Sequence, residues 1–351
     1  MKILQTMNYP AWSKVSTGKQ PSHHLFGIHG HILKYEQKEN FYRGYLKDGG
    51  YVDFLYVPDR GKFKALLFCL KLYFKLYKYD IVFDSLCVVT KYLGILFRIY
   101  RPCKLISIIH HPPFNKILKL TRPDACIFFS EEYKNMADKI CPQFKEKHFA
   151  IKWQPDKKWY KEKSIELGIN VNNKAYMFID NGKTFRDHEM MTEAIYKVGA
   201  KAVLINQQEA KPKNYIKGKN LEFVPLEKPD DEFLLSYLLK SKCILIPAKK
   251  DPNKKLLGPI GITSFMDAIA LGMPVICSDN LCFSKEITKF SLGITYPAGN
   301  KEAFCQALEK MFKDNLFYDA CCRNMKDYAK SQDISFYENK IWDIINKYSK
   351  Q

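Results

Sequence analysis

One stretch brings together the residue types needed to hold a phosphorylated ligand: Gly258-Pro259-Ile260-Gly261-Ile262-Thr263-Ser264-Phe265-Met266-Asp267-Ala268-Ile269-Ala270-Leu271-Gly272-Met273-Pro274-Val275-Ile276-Cys277-Ser278-Asp279. It reads as a glycine turn, a helix, a second turn and a buried strand. The backbone N–H groups of Gly261, Ile262, Thr263 and Ser264 are the unpaired donors of a helix start. There the positive end of the helix dipole favours an anion such as a diphosphate. Asp267 sets a carboxylate about one turn further on. A second stretch, Asp180-Asn181-Gly182-Lys183-Thr184-Phe185-Arg186-Asp187-His188-Glu189, follows an apolar strand. Gly182 frees its turn, and Lys183 and Arg186 are two cations that could reach a diphosphate; the alternative is an ordinary helix start in which Asp187 and Glu189 complement the dipole. A third, Ser107-Ile108-Ile109-His110-His111-Pro112-Pro113, puts two histidines at the carboxyl end of a strand.

Glycine, helix, acidic-Ala-x-Ala-x-Gly-x-Pro-Val-Ile is similar to the nucleotide-sugar signature of the GT-B glycosyltransferases of family 4, also described as glycosyl transferases group 1. The resemblance assigns Asp267 to the ribose hydroxyls of a donor nucleotide, with Asp standing where Glu is usual. Eight residues earlier the family commonly has a second Glu against the donor sugar; this chain has Pro259. The resemblance also assigns Lys183 and Arg186 to the donor diphosphate and the leaving nucleotide, and His110 to positioning and hydrogen bonding near donor sugar and acceptor. The loop from Ser13 to Gly27 resembles the family's amino-terminal glycine-containing loop, with Gly18 and Lys19 as its substrate contacts. Base selectivity is expected around Phe223 to Leu226 and sugar selectivity between Lys249 and Ile262. No Asp-x-Asp motif occurs. The expected set is therefore free of metal and of any cofactor other than the donor, with cations and amides stabilising the leaving group.

These groups are set among alternating strands and helices, the pattern of doubly wound α/β domains. Strands are expected at Lys2 to Thr6, Val52 to Val57, Ile81 to Asp84, Leu105 to Ile109, Ala125 to Phe129 and Phe149 to Ile151. Helices are expected at Ser22 to Tyr35 and Lys62 to Tyr77, and after Ser130 as N-cap. A polar linker at Gln154 to Lys158 opens a second series. Its strands are Ala175 to Ile179, Ala202 to Ile205, Leu221 to Val224, Cys243 to Ile246 and Ile294 to Tyr296, with helices at Glu189 to Val198, Asp230 to Leu239, Lys301 to Phe312 and Leu316 to Lys330. The fold class that follows is α/β, which the resemblance specifies as GT-B: two facing Rossmann-like domains with a donor and acceptor cleft between them. The divisions are an acceptor-side domain at 1–155, a nucleotide-sugar domain at 156–332 and, at 333–351, an amphipathic helix that in this family crosses back to the first domain.

With 351 residues the chain has material for two cores. The start, Met1 to Met7, turns polar too soon for a signal peptide, and lysines interrupt the longest apolar runs. Eleven cysteines are scattered without a Cys-x-x-Cys pair, which suits reduced, buried thiols in a cytoplasmic protein and disfavours a metal site. The net charge is +19, and residues 1–155 hold 25 Lys and Arg against 12 Asp and Glu. Lysines interleave with leucines and aromatics from Lys62 to Lys78, either as a helix lying on an anionic membrane or as the solvated face of a helix packed on the sheet. No nucleic-acid motif accompanies the basic surface.

The function these features imply is transfer of a sugar from a nucleotide-diphosphate donor to a glycan or polyprenyl-linked acceptor. Through the family it is a retaining reaction, in cytoplasmic assembly of a bacterial surface polysaccharide such as capsule or lipopolysaccharide. Two alternatives stay open. One is a sugar-nucleotide epimerase of the same fold. The other is a non-catalytic nucleotide-sugar or glycan-binding subunit, a reading that Pro259 keeps in play.

Overall fold

The computed structural model describes residues 1–38, 41–57, 62–111, 115–170, 174–227, 230–251 and 259–349. Gly258, Pro112, Pro113 and most of the span between Lys249 and Ile262 lie outside them. The chain divides into two compact units, Met1–Gln154 with Ile334–Gln351, and Pro155–Asp333.

The first unit is built on β1 (Lys2–Met7), β2 (Ile32–Gln37), β3 (Tyr42–Leu46), β4 (Tyr51–Tyr56), β5 (Ile81–Asp84), β6 (Lys104–Ile109), β7 (Ala125–Phe128) and β8 (His148–Ala150). Their order in the sheet is β2-β3-β4-β1-β5-β6-β7-β8. From β4 to β8 all pairings are parallel, with Ile3 beside Val52 on one side and Ile81 on the other. The strands β5 and β7 are buried at every position, because a parallel sheet is covered on both faces. Its helices are α1 (Ala11–Val15), α2 (Lys62–Tyr73), α3 (Thr90–Leu96), α4 (Asn115–Thr121) and α5 (Glu131–Ile140). Ser130 caps α5, its hydroxyl accepting from the Tyr133 N–H at 3.2 Å.

The second unit begins with α6 (Lys157–Glu166) and contains a fully parallel sheet of β9 (Tyr176–Asp180), β10 (Ala202–Asn206), β11 (Leu221–Pro225), β12 (Ser241–Ile246), β13 (Val275–Ser278) and β14 (Gly293–Tyr296). The order is β11-β10-β9-β12-β13-β14, so the direction of winding reverses between β9 and β12. Around it lie α7 (His188–Val198), α8 (Asp231–Leu239), α9 (Ile262–Leu271), α10 (Ser284–Lys289), α11 (Lys301–Lys313) and α12 (Asn315–Lys330). Phe265, Leu238 and Tyr328 of α9, α8 and α12 pack on one face of the sheet against Val203, Ile244 and Val275. On the other face Ile195 of α7 and Phe304 and Leu308 of α11 meet Phe178, Leu204 and Leu245. The last helix, α13 (Ile334–Ser349), belongs to the first unit, where Trp342 stacks on His31 at 4.2 Å and Glu338 accepts from the Gly30 N–H at 2.8 Å.

Three expectations need correction. Ser22 to Tyr35 is not an α-helix: two short 3-10 turns, Ser22–Leu25 and His29–His31, run into β2. Phe26 and Gly27 have φ of 54° and 91°, which breaks any helix there, and β2 pairs antiparallel with β3. The helix at Lys62 stops at Tyr73, and Leu76–Lys78 forms a separate 3-10 turn. The polar stretch from Gln154 extends only to Asp156, whose carboxylate caps α6 by accepting from the Trp159 N–H at 3.1 Å.

Candidate functional site

The reversal of winding between β9 and β12 opens a crevice at the carboxyl ends of the strands, where ligands of open α/β sheets bind. The segment leaving β9 is fixed there by backbone bonds to the segment leaving β12. Asp187 N–H donates to Pro247 O at 2.7 Å and Lys249 N–H to Phe185 O at 3.0 Å. Phe185 takes a left-handed φ of 58° to make the turn.

This turn carries Arg186 inward. Its guanidinium is buried, with Nε 3.6 Å from Asp180 Oδ1, Nη1 3.3 Å from Thr184 O and Nη2 3.5 Å from Ser264 Oγ. Burial pulls its pKa below the ordinary arginine value, and the Asp180 charge opposes that shift. Buried Arg186 Nε, Asp180 Oδ2 and His188 Nε2 have no hydrogen-bond partner among the described residues. The last two atoms are 3.4 Å apart.

Two glycines make room for the cation. Gly261, the N-cap of α9, has φ of 77°, and a Cβ there would lie 2.5 Å from Ile246 Cγ2 and 3.2 Å from Arg186 Nη2. Gly182 has an ordinary φ, but a Cβ would sit 2.3 Å from Arg186 Nε and Nη2. Its backbone is held from both sides, its N–H donating to Asp180 Oδ1 and its carbonyl accepting from Asn206 Nδ2, each at 2.8 Å. Gly182→Ala is therefore expected to displace the guanidinium, costing about 1–3 kcal/mol in stability as an overpacked site does. Thermal melting and nucleotide titration of this variant check the prediction together.

Helix α9 starts beside Arg186. Gly261 supplies no side-chain cap, and Ile262 N–H is occupied by Pro259 O at 3.3 Å, so the first-turn amides of Thr263 and Ser264 are those without a helical acceptor. Thr263 is exposed, whereas Ile262 and Ser264 are buried. Ser264 Oγ donates to Asn181 Oδ1 at 2.7 Å, and Asn181 Nδ2 donates to Asp267 Oδ2 at 2.7 Å. Asp267 Oδ1 accepts from the Tyr160 hydroxyl of α6 at 2.5 Å. The structure thus joins Tyr160, Asp267, Asn181, Ser264 and Arg186 in one chain of contacts. Burial raises the Asp267 pKa to about 6, although the bonds from Tyr160 and Asn181 favour its charged form. Lys183 is exposed on the same turn.

In the first unit, His110 directly follows β6 and its Nε2 lies 2.7 Å from Ser85 O. A carbonyl only accepts, so Nε2 carries the proton and Nδ1 presents a lone pair. Burial lowers the His110 pKa to about 4, which keeps the ring neutral at physiological pH. Phe26 and Phe129 meet it edge-on at 5.3 and 4.7 Å, and both stack on Trp153, at 4.9 and 5.2 Å. The Trp153 Nε1–H donates to His23 O at 3.0 Å. Gly18, with φ of 69°, closes α1, its N–H donating to Val15 O and that of Lys19 to Lys14 O. Those two amides are engaged by the helix end; the Lys19 side chain is exposed.

Sequence reasoning found Gly182, Arg186, Gly261, Ser264 and Asp267, which converge. It did not single out Asn181, Asp180, Tyr160 or Trp153. Asn181 stood inside the quoted motif, while Tyr160 carries no local signal, since its partner is 107 residues away. Among the described residues no three His, Cys, Asp or Glu side chains are grouped to hold a metal ion, and no helix is long and apolar enough to cross a membrane.

Residues 198–332 match the family model described as glycosyl transferases group 1. No curated protein matches the chain by sequence. Solved structures match over the whole chain. Anabaena HepE in complex with UDP-glucose aligns with a TM-score of 0.68 at 11% identity, covering 99% of this chain and 100% of that one. Sucrose-phosphate synthase from Thermosynechococcus elongatus gives 0.68 at 12%, covering 99% and 98%. The trehalose 6-phosphate synthase of Burkholderia multivorans gives 0.67 at 9%, also covering 99% and 98%. The chain accordingly has the GT-B fold of two Rossmann-like domains, and its residues 198–332 carry the glycosyl transferases group 1 match.

Proposed function

We propose that the chain is a retaining hexosyl- or related glycosyltransferase that takes a sugar from a nucleotide-diphosphate donor. The observation that supports this most is the convergence at the switch point of the second sheet. The Arg186 guanidinium, the amide start of α9 and the Asp267 carboxylate lie within one turn of each other. In this reading the diphosphate lies over the α9 start, with Arg186 and Lys183 as its cations. Ribose hydroxyls donate to the Asp267 lone pairs that Tyr160 and Asn181 leave open. Anabaena HepE binds UDP and UDP-glucose, so UDP-sugars are the first donors to test.

During transfer the bond from the sugar's anomeric carbon to the phosphate oxygen breaks, and negative charge develops on that oxygen. Fixed cations and helix amides stabilise this charge more than the ground state, which lowers the barrier. The acceptor hydroxyl attacks from the same face, and its proton passes to the departing phosphate. No required metal or further cofactor is proposed. His110 Nδ1 is assigned to accept a hydrogen bond from a substrate hydroxyl, with Gly18 and Lys19 lining the acceptor side. The acceptor is a glycan or a polyprenyl-linked sugar, in bacterial capsule or lipopolysaccharide assembly at the cytoplasmic face of the membrane.

The test incubates the enzyme with UDP-sugars and polyprenyl-diphosphate glycans and reads the anomeric configuration of the product by NMR. Retention of the donor's configuration is expected. An inverted linkage would overturn the mechanism. Donor binding without any turnover would favour the binding-subunit reading that Pro259 motivates.

A further inference from the structure

Helix α2 has two apolar faces, and among the described residues only one is covered. Cys69, Phe68 and Leu72 turn inward with Leu76 to pack on Val82 and Leu93. Phe63, Leu66 and Leu67 recur at i, i+3 and i+4 on the outer side, and Phe74 and Tyr77 are exposed just beyond the helix end, in the turn and 3-10 turn that follow Tyr73. These five are 72, 39, 43, 73 and 70% exposed. Helix α3 lies against α2, the Tyr73 hydroxyl donating to Tyr100 O at 2.7 Å, and beyond it Ile99 and Tyr100 are 85 and 68% exposed. Lys64, Lys71, Lys75 and Lys78 are all exposed along this helix and turn. Between Lys62 and Arg122 the sequence holds 12 Lys and Arg and 2 acidic residues. Of the latter, Asp84 is fully buried and Asp80 accepts from the Lys2 N–H.

We infer that the outer stripe of α2, with its row of lysines and the exposed end of α3, is a docking face for an anionic lipid bilayer. Large apolar side chains flanked by cations are the composition of an interfacial helix: the rings and leucines enter the acyl boundary while the ammonium groups meet anionic headgroups. A second copy of the chain fits poorly, since a two-fold contact across this stripe would bring the lysine rows of both copies together. The inference deepens the proposal of a membrane-carried acceptor, but its test reads binding alone, so either can fail without the other.

Full-length protein is sedimented with phosphatidylcholine vesicles and with vesicles that also contain phosphatidylglycerol. Binding is expected to the second, at least about tenfold above the first, and to weaken with salt. Phe63→Ser with Phe74→Ser and Tyr77→Ser should lower binding about tenfold or more at every salt concentration. Lys64→Gln with Lys71→Gln, Lys75→Gln and Lys78→Gln should abolish the preference for anionic vesicles. Both variants should melt like the wild type and still bind nucleotide, because the substituted side chains are exposed. No binding to anionic vesicles would overturn the inference, as would wild-type binding by either variant. A dimer seen by light scattering that the triple serine variant dissolves would assign the face to self-association instead.

Discussion

Arg186→Ala is expected to lower turnover by roughly 10²–10³-fold, the loss that follows removal of one preorganised group facing a developing oxyanion. It should also destabilise the protein by about 3–5 kcal/mol, because Asp180, fully buried, would lose its counter-ion. A structural role alone would give the second effect without the first, so a companion variant is needed. Arg186→Ala combined with Asp180→Asn removes both charges and should recover most of the melting temperature. Turnover should stay low in that double variant. Recovery of turnover along with stability would show that Arg186 serves only to balance Asp180.

The second large effect concerns Asp267, whose burial raises its pKa from 3.8 to about 6. A carboxyl with this shift binds its proton more tightly when folded. Its contribution is fully present below the unfolded value, near pH 4, and is lost as pH rises through about 6. At neutral pH the ligand-free protein therefore holds a buried charge at a cost on the order of 2–3 kcal/mol. Asp267→Asn should flatten the fall in stability between pH 4 and 7 and leave the melting temperature at pH 7.5 unchanged or higher. Nucleotide affinity should fall about tenfold to a hundredfold, the worth of hydrogen bonds to a charged acceptor. Denaturant titration across pH, with nucleotide calorimetry at pH 7.5, measures both. Lower stability at pH 7.5 with unchanged affinity would make Asp267 a structural residue. Asp267→Ala would be the poorer test, since it also removes the carboxylate to which the Tyr160 hydroxyl donates.

What could be seen in the sequence follows from how local each cause is. The parallel strands are short apolar runs bounded by turn residues, because both faces of each sheet are covered. The α9 unit was legible because Gly261 and Gly272, both with positive φ, punctuate it. The hairpin of β2 and β3 was hidden. Its faces are half exposed, and Lys34, Glu36 and Arg43 blur the alternation, while Arg43 spends its charge on Asp53 of β4 at 2.6 Å. Arg186 was identifiable as a cation near the site, but its burial over Asp180 depends on the missing Cβ of Gly182. Tyr160 could not be found at all, since only folding brings α6 to Asp267. Gly18 has a second, local role that its place in the loop did not disclose, since its positive φ closes the end of α1.

A donor site at the junction of β9, β12 and α9 is probed most simply by thermal stabilisation of the full-length protein with UDP, GDP, ADP, CDP and dTDP, and with uridine as a control that lacks the diphosphate. A ligand that binds only the folded state, at about a hundred times its dissociation constant, stabilises by about 2.7 kcal/mol, or roughly 5–11 °C for a unit of this size. Such a shift is expected with one base and its diphosphate, with a weak or absent shift from uridine. It should be lost in Asp267→Asn and in the Arg186→Ala, Asp180→Asn pair. Equal shifts from wild type and both variants, or no shift with any nucleotide, would contradict a donor site there.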